Sequence, residues 1–560
     1  MNFIALAQQQ AANLIAASAA KITDQAFKPP VIEAPKDPRH GDWASGFAMQ
    51  NAKALGLGNP RDFAQKVVAG IDFAGTYFYA AEIAGPGFIN LRLSHSWFED
   101  AARCILNEGE RYGCSVLEHP EKIMIEFVSA NPTGPMTIGN ARGGALGDSL
   151  AEVLHRAGHI VEREFYINDA GNQIDKFAQS LLARYKQLIL GEDAIDFPED
   201  GYKGEDIREL AQAYLDVHGD RLALGDEALS EALAQYGLSV NIPRMKRDLE
   251  RYRITFDTWF RESSLYDANE VAETVQKLTE NGHTYEADGA LWLKSTAFGT
   301  EKDDVLRRSN GFSTYFAADI AYHRNKLLTR GFDKVINIWG ADHHGHVLRL
   351  QKAVDAIGLD GTNRLEIVIM QMVRLMRDGQ VAKVSKRSGR ALTLADLMDE
   401  MPVDAVRFFF NSRASDTHLE FDMDLALRKD RENPVYYVQY AHARTQSVNK
   451  GLLEDGVNVD VRDADLSLLV HEKELALIRE LARLPEEIRL AAEQREPARI
   501  NRYAAEVATA LHRFYDDDAC HIRRAESEAL RDARIFLTNC TAVVLKNALS
   551  CFGVEAPDSM

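Results

Sequence analysis

Between residues 116 and 420, three short runs rich in β-branched residues, KIMIEFVSA, KVINIWGA and LEIVIMQMV, alternate with stretches whose apolar residues recur at helical spacing. Strand and helix in alternation is the pattern of a parallel sheet carrying helices on its faces, so an α/β domain is expected here. The flanks read differently. Residues 1–115 combine Ala-rich helical stretches with short apolar runs around a Gly-Pro-Gly turn in YFYAAEIAGPGFINLRLS, which predicts a small α/β module. After FDMDLAL the strand-like runs stop, and i, i+3, i+4 apolar spacing persists through 421–560, which predicts an all-helical bundle. The polar stretch LGEDAIDFPEDGYKGEDI reads as a loop between two helices and marks an insertion around 188–290.

A chain of 560 residues is too long for one hydrophobic core, so several domains are expected. The net charge of −19 argues against a protein that coats DNA through general phosphate neutralisation, while leaving room for nucleic acid held by local basic patches. No stretch reaches the ~18 uninterrupted apolar residues of a membrane span. The N-terminal MNFIALAQQQAANLIAASAAKI lacks a basic leader and reads as an amphipathic helix, so a cytoplasmic protein without a membrane partner is expected. Five scattered cysteines without CxxC spacing predict buried thiols, with neither a disulfide framework nor a zinc site.

Two loops carry the chemistry. NPTGPMTIGNARGG, at 131–144, joins the end of a strand to the start of a helix, where backbone N–H groups of a parallel α/β sheet meet phosphate. Gly134 and Gly139 would let a nucleotide approach the backbone, and Gly143 and Gly144 would let the helix close on the sheet. A tight connection without any ligand would use the same residues. The second loop, MRDGQVAKVSKRSGRALT, also leaves a strand-like run and offers Lys383, Lys386 and Arg387. Flexible cations beside a phosphate site can neutralise charge growing on a pyrophosphate leaving group. In TYFAADIAY, Tyr315, Asp319 and Tyr322 share one helix face, and a carboxylate with aromatic neighbours suits a guanidinium.

The two loops, in this order, resemble the HIGH and KMSKS signatures of class I aminoacyl-tRNA synthetases. FYINDAGNQI, GALWLKSTAFG, STYFAADIAYH, IWGADHHGH, DAVRFFF, NPVYYVQYAHAR, RHGDWASGFAMQNAK and the ending GVEAPDSM narrow the resemblance to arginyl-tRNA synthetases over the whole chain. The resemblance implies a Rossmann-like catalytic domain over 116–420, an N-terminal tRNA-contacting module over 1–115 and an anticodon-binding bundle over 421–560. It implies ATP, arginine and tRNA as substrates, magnesium with the nucleotide, tRNA-dependent activation, and a monomer. Thr137, Asn140, Lys383 and Lys386 match the catalytic positions, and Pro132, Gly134, Gly139, Gly340, Asp342 and Ser385 the ATP site. Asp319, with Glu126 as a further carboxylate, would pair with arginine's guanidinium under Tyr315, while Asn131 and Ser129 hold the α-amino end. Asp342 and His343 of DHHGH would face the ribose and the amino acid, which displaces a zinc reading of that cluster. Tyr437, Tyr440 and Arg444 either stack on anticodon bases or pack the bundle; both readings stand at this point.

One residue departs from the pattern: Thr137 stands where the family usually has histidine. A shorter neutral hydroxyl in place of a transition-state donor is expected to cost roughly 10² to 10³ in rate. A catalytically impaired paralogue that binds arginine or nucleotide is the competing reading, and an adenylate-forming enzyme of another specificity is a third.

Overall fold

KIMIE and its partner runs form one sheet in the computed structural model, which describes residues 1–35, 37–382 and 392–560. Five parallel strands lie in the spatial order Leu365–Met370, Lys334–Gly340, Lys122–Glu126, Ile160–Ile167, Thr258–Arg261. The strand earliest in sequence therefore sits at the centre, with the next two on one side and the last two on the other. This reversal of order opens a crevice beyond the carboxyl ends of Lys122–Glu126 and Lys334–Gly340.

The helix Ile138–Arg156 crosses the sheet from that crevice, and glycine sets how closely it packs. A Cβ on Gly147 would lie 2.2 Å from the Phe127 ring, and one on Gly144 would lie 2.8 Å from Ile254. Gly143, expected to share this task, has room for a side chain, with Met370 at an ordinary 3.6 Å.

The expected insertion over 188–290 has different bounds in space. The chain leaves the sheet through helices Asn172–Leu190, Glu205–His218 and Asp226–Arg251, which bury Phe177, Leu181, Tyr185 and Leu229 in a core of their own. Thr258–Arg261 is already back in the main sheet. The polar loop does separate two helices, but the excursion begins before it, because Asn172–Leu190 is amphipathic toward the added helices. A small antiparallel sheet of Thr284–Ala287, Ala290–Leu293 and Asp304–Arg307 follows.

The N-terminal module pairs three antiparallel strands, Trp43–Ser45, Phe88–Leu93 and Phe78–Ala84, the last two joined by the expected Gly-Pro-Gly turn. Gly87 is required there: its φ is +134°, and a Cβ would meet the Pro60 carbonyl at 2.9 Å. The helix Phe3–Ala20 buries Phe3, Ala7, Ala11, Ile15 and Ala19. The C-terminal bundle consists of Pro434–Glu454, Glu472–Leu481, Leu484–Gln494, Ala498–Tyr515 and Glu528–Ser550. The helix His95–Glu108 lies against it: Arg103 donates to the Arg462 and Ala464 carbonyls, Cys540 Sγ donates to the Ala102 carbonyl, and Asn547 Nδ2 to those of Gly109 and Tyr112. No helix among the described residues is long and apolar enough to cross a membrane.

Candidate active site

The crevice holds a cavity of about 1600 Å³. One end is built on the N-terminus of Ile138–Arg156. Thr137 is the N-cap: its backbone N–H and its hydroxyl both donate to Asn140 Oδ1 at 2.9 Å, and its Oγ1 receives the Asn140 N–H at 3.4 Å. This reciprocal box explains threonine locally, since a short hydroxyl caps where an imidazole reaches less readily. The arrangement leaves the Asn140 amide N–H groups and the backbone N–H of Gly139 without a partner among the described residues. Together with the positive end of a 19-residue helix they make an anion cradle.

The lysine loop meets this cradle through its far flank. Thr393 bridges Thr137 backbone to backbone, and the Leu394 N–H donates to the Met136 carbonyl at 2.9 Å. Thr393 is itself an N-cap, boxed with Asp396. Lys383, Ser385 and Lys386 lie outside the described residues.

The other end is built on the strand ends. Val128 and Ser129 hold φ values of +65° and +40°, a left-handed turn that a β-branched residue rarely adopts and that costs of order 1–3 kcal/mol per residue. The turn aims Ser129 back into the sheet, where its hydroxyl donates to Glu126 Oε1 at 2.9 Å and accepts the Tyr166 N–H at 3.1 Å. Glu126 Oε2 lies 2.5 Å from the ammonium of Lys326, which is fully buried, sits over the Tyr322 ring and reaches Asn337. Glu126 lines the cavity, and its charge is already met there by a lysine that no sequence motif marks.

Asp319 remains as the open carboxylate on the wall, half exposed, held at 3.1 Å by His346 Nε2. Below it, buried His323 donates through Nδ1 to the Asp319 carbonyl and receives Asn337 Nδ2 at Nε2, 2.8 Å away. Burial and the Lys326 charge push its pKa well below the usual histidine value, so it is a neutral fixture. Glu262 stands one layer behind the wall, bonded to Tyr166, Tyr266 and, with the Asn168 amide oriented by its partners, to Asn168 Nδ2 at 2.9 Å. Burial, with the Asp319 and Asp169 charges, raises its pKa to about 7. No motif marks Glu262 or Lys326, and their neighbours in sequence, Arg261 and Ser263 or Arg324 and Asn325, are polar as well.

Asn131, Gly134, Gly139, Gly340, Asp342 and His343 also line the cavity. Two expected residues do not. Pro132 is buried beside the wall, its carbonyl accepting from Asn241 Nδ2 at 2.9 Å. Tyr315 covers the rim, where its hydroxyl receives the Asn172 N–H at 2.7 Å and its ring lies against Gly171. Farther off, on Pro434–Glu454, Tyr440 is exposed and stacks parallel to Tyr436 at 6.2 Å and over His512. Tyr437 donates to Thr509 Oγ1, and Arg444 is held by Asp516, His512 and the Tyr515 ring. Packing accounts for Tyr437 and Arg444; Tyr440 keeps an open face.

A nucleotide-type crevice at a sheet switch point, with a helical bundle appended, defines a class I aminoacyl-tRNA synthetase. The description "tRNA synthetases class I (R), catalytic domain" matches residues 102–418, "Arginyl tRNA synthetase N terminal domain" residues 9–93, and "DALR anticodon binding domain" residues 438–560. The arginine–tRNA ligase of Acetivibrio thermocellus is 51% identical over 94% of this chain and 93% of its own, and that of Caldanaerobacter subterraneus matches at the same identity and coverage. The Thermus thermophilus arginyl-tRNA synthetase shares the fold with a TM-score of 0.75 at 22% identity, covering 99% of this chain and all of that one. This chain belongs to the arginyl-tRNA synthetase family.

Proposed function

We propose that the single cavity carries both steps of arginine–tRNA ligation, the activity of the family to which the chain belongs. The observation that carries this is the span of one crevice from the Thr137–Asn140 anion cradle to Asp319. Arginine enters with its guanidinium on Asp319, and Glu262 adds negative potential behind Tyr166. Asn131 and the remaining lone pair of Ser129 receive the α-amino group. ATP lies with its phosphates on Gly139 and Asn140, with Gly134, Gly340, Asp342 and His343 around its base and ribose. An arginine carboxylate oxygen attacks the α-phosphorus, the bond to the bridging oxygen of the β-phosphate breaks, and pyrophosphate leaves. A hydroxyl of the terminal tRNA adenosine then attacks the arginyl carbonyl and expels AMP. Catalysis here is positioning and electrostatics, with no covalent nucleophile. Magnesium bound with the nucleotide would supply charge neutralisation, and Asp206, beside Gly134, and Asp342 are carboxylates of the cavity wall that could hold it. Lys383 and Lys386 take the pyrophosphate charge, by family resemblance. In the same reading the protein acts as a cytoplasmic monomer that requires tRNA for activation. Its working units are 1–115, 116–420 and 421–560, and Tyr440 offers its exposed face to an anticodon base.

Arginyl-tRNA formation from arginine, ATP, magnesium and cognate tRNA tests the assignment; complete absence of product sinks it in favour of a silent paralogue. Thr137→His should read out in two opposite directions. Activation rises by up to roughly 10²-fold as a donor is restored, while loss of the cap costs about 1 kcal/mol of stability. Equal activation rates in the two forms would show that Thr137 is no handicap.

Glu262 predicts a pH effect. Its folded pKa of about 7 lies above the ordinary 4.5, so its contribution to stability is full in acid and is lost as pH rises through about 7. A guanidinium nearby favours the carboxylate, so arginine binding releases a proton and tightens by up to about tenfold from pH 6 to 8. Glu262→Gln should flatten this profile in a titration of arginine affinity.

A further inference from the structure

We infer that the hairpin turn 307–313 is a stacking platform for the unpaired 3′ end of the tRNA at the cavity rim, an inference that rests on the ligase reading above. The turn is well built. Arg307 bridges Ser313, the Arg308 N–H donates to the Phe312 carbonyl at 2.9 Å, the Gly311 N–H donates to the Arg308 carbonyl at 2.9 Å, and the Phe312 N–H donates to Asn310 Oδ1 at 3.2 Å. On this base Phe312 is 71% exposed, more than any other Phe, Tyr or Trp among the described residues. A hydrophobic ring fixed in water by a bonded turn gains nothing for the fold.

The neighbours say what the ring suits. Arg307 and Arg308 are both exposed and have no carboxylate partner among the described residues, in a chain of net charge −19 whose other arginines are mostly paired. An open aromatic face beside two free guanidiniums is the combination that holds single-stranded nucleic acid, by base stacking and phosphate neutralisation. The turn is also flanked in sequence by residues of the cavity and its rim. Thr300, Glu301 and Lys302 line the cavity just before it in sequence. Tyr315, just after it, covers the rim at Gly171 and Asn172, and Asp319 beyond lines the wall. Transfer requires the terminal adenosine to reach the arginyl carbonyl in that cavity, so its unpaired neighbours cross the cavity rim.

Phe312→Ala, Phe312→Trp and Arg308→Ala test this in the full-length protein. The readouts are the KM for intact tRNA in arginylation, and filter binding of the same tRNA with its unpaired 3′ nucleotides removed. Phe312→Ala should raise the KM for intact tRNA about tenfold, as expected for one lost base–aromatic stack. Phe312→Trp should restore it, and the KM for arginine and ATP should not change. Arg308→Ala should raise the same KM and weaken its salt dependence. Binding of the shortened tRNA should be the same for every form. An unchanged KM in Phe312→Ala overturns the proposal, and so does equal weakening toward the shortened tRNA, which would assign the ring to the tRNA body. If the unsubstituted protein forms no arginyl-tRNA, the ligase reading fails; the platform is tested separately by whether Phe312→Ala distinguishes intact from shortened tRNA in binding.

Discussion

Asp319→Ala should lower kcat/KM for arginine by about 10³-fold and leave the melting temperature close to that of the parent protein. A guanidinium drawn from water into a cavity must find a charge-assisted partner, and breaking such a pair from one side costs about 3–5 kcal/mol. Lys326 meets Glu126, Arg330 meets Glu162 and Glu164, and Glu262 stands behind Tyr166, which leaves Asp319 without a lysine or arginine partner in this group of carboxylates. Its own protein contact is the 3.1 Å bond to His346, and its side chain is 38% exposed, so the fold draws little from it. Steady-state arginylation against arginine concentration, with thermal unfolding alongside, measures both halves. Asp319→Asn should fall less far, and should narrow the gap between arginine and its neutral analogue citrulline. Normal arginine kinetics in Asp319→Ala would remove it from the pocket.

Lys326→Met should have the larger effect on stability, about 3–5 kcal/mol, although residue 326 bonds no substrate in the proposed mechanism. Its ammonium has no contact with solvent and answers Glu126, the Asn337 carboxamide and the Tyr322 ring together. Removing it leaves the Glu126 carboxylate buried with only the Ser129 hydroxyl for support. The distinguishing result comes from the pair. Glu126→Gln with Lys326→Met should recover most of the unfolding midpoint lost in Lys326→Met alone, because no uncompensated charge then remains. Simple additivity would mean that the two side chains act independently.

The parallel sheet was legible where its strands have a β-branched apolar centre, as in KIMIE and KVINIW, because such runs have few other homes. Ile160–Ile167 was not, since IVEREFYI carries Glu162, Arg163 and Glu164. Buried partners tolerate those charges: Glu164 meets Arg330 and Tyr322, which no local pattern announces. Thr258–Arg261 is too short for period to speak. At the site, loops with their own turn chemistry were readable, so the cradle and the helix face bearing Asp319 were found from sequence. Lys326 and Glu262 were missed because their meaning lies in neighbours far along the chain. The Lys326 partner of Glu126 was missed for the same reason. Thr137, a puzzle as a replaced histidine, is intelligible as a cap once Asn140 is seen to answer it.

The helix His95–Glu108 finds its packing surface on Glu528–Ser550, more than four hundred residues later. A ribosome therefore delivers one half of this interface more than four hundred residues before the other. Until Glu528–Ser550 emerges, the side of His95–Glu108 at Ala102 and Arg103 lacks Cys540 and the Phe536 ring, so the nascent chain carries this uncovered stripe while the intervening residues are made. In hydrogen exchange the two extremities should gain protection together and late, and chaperone contact during synthesis should concentrate on that stripe.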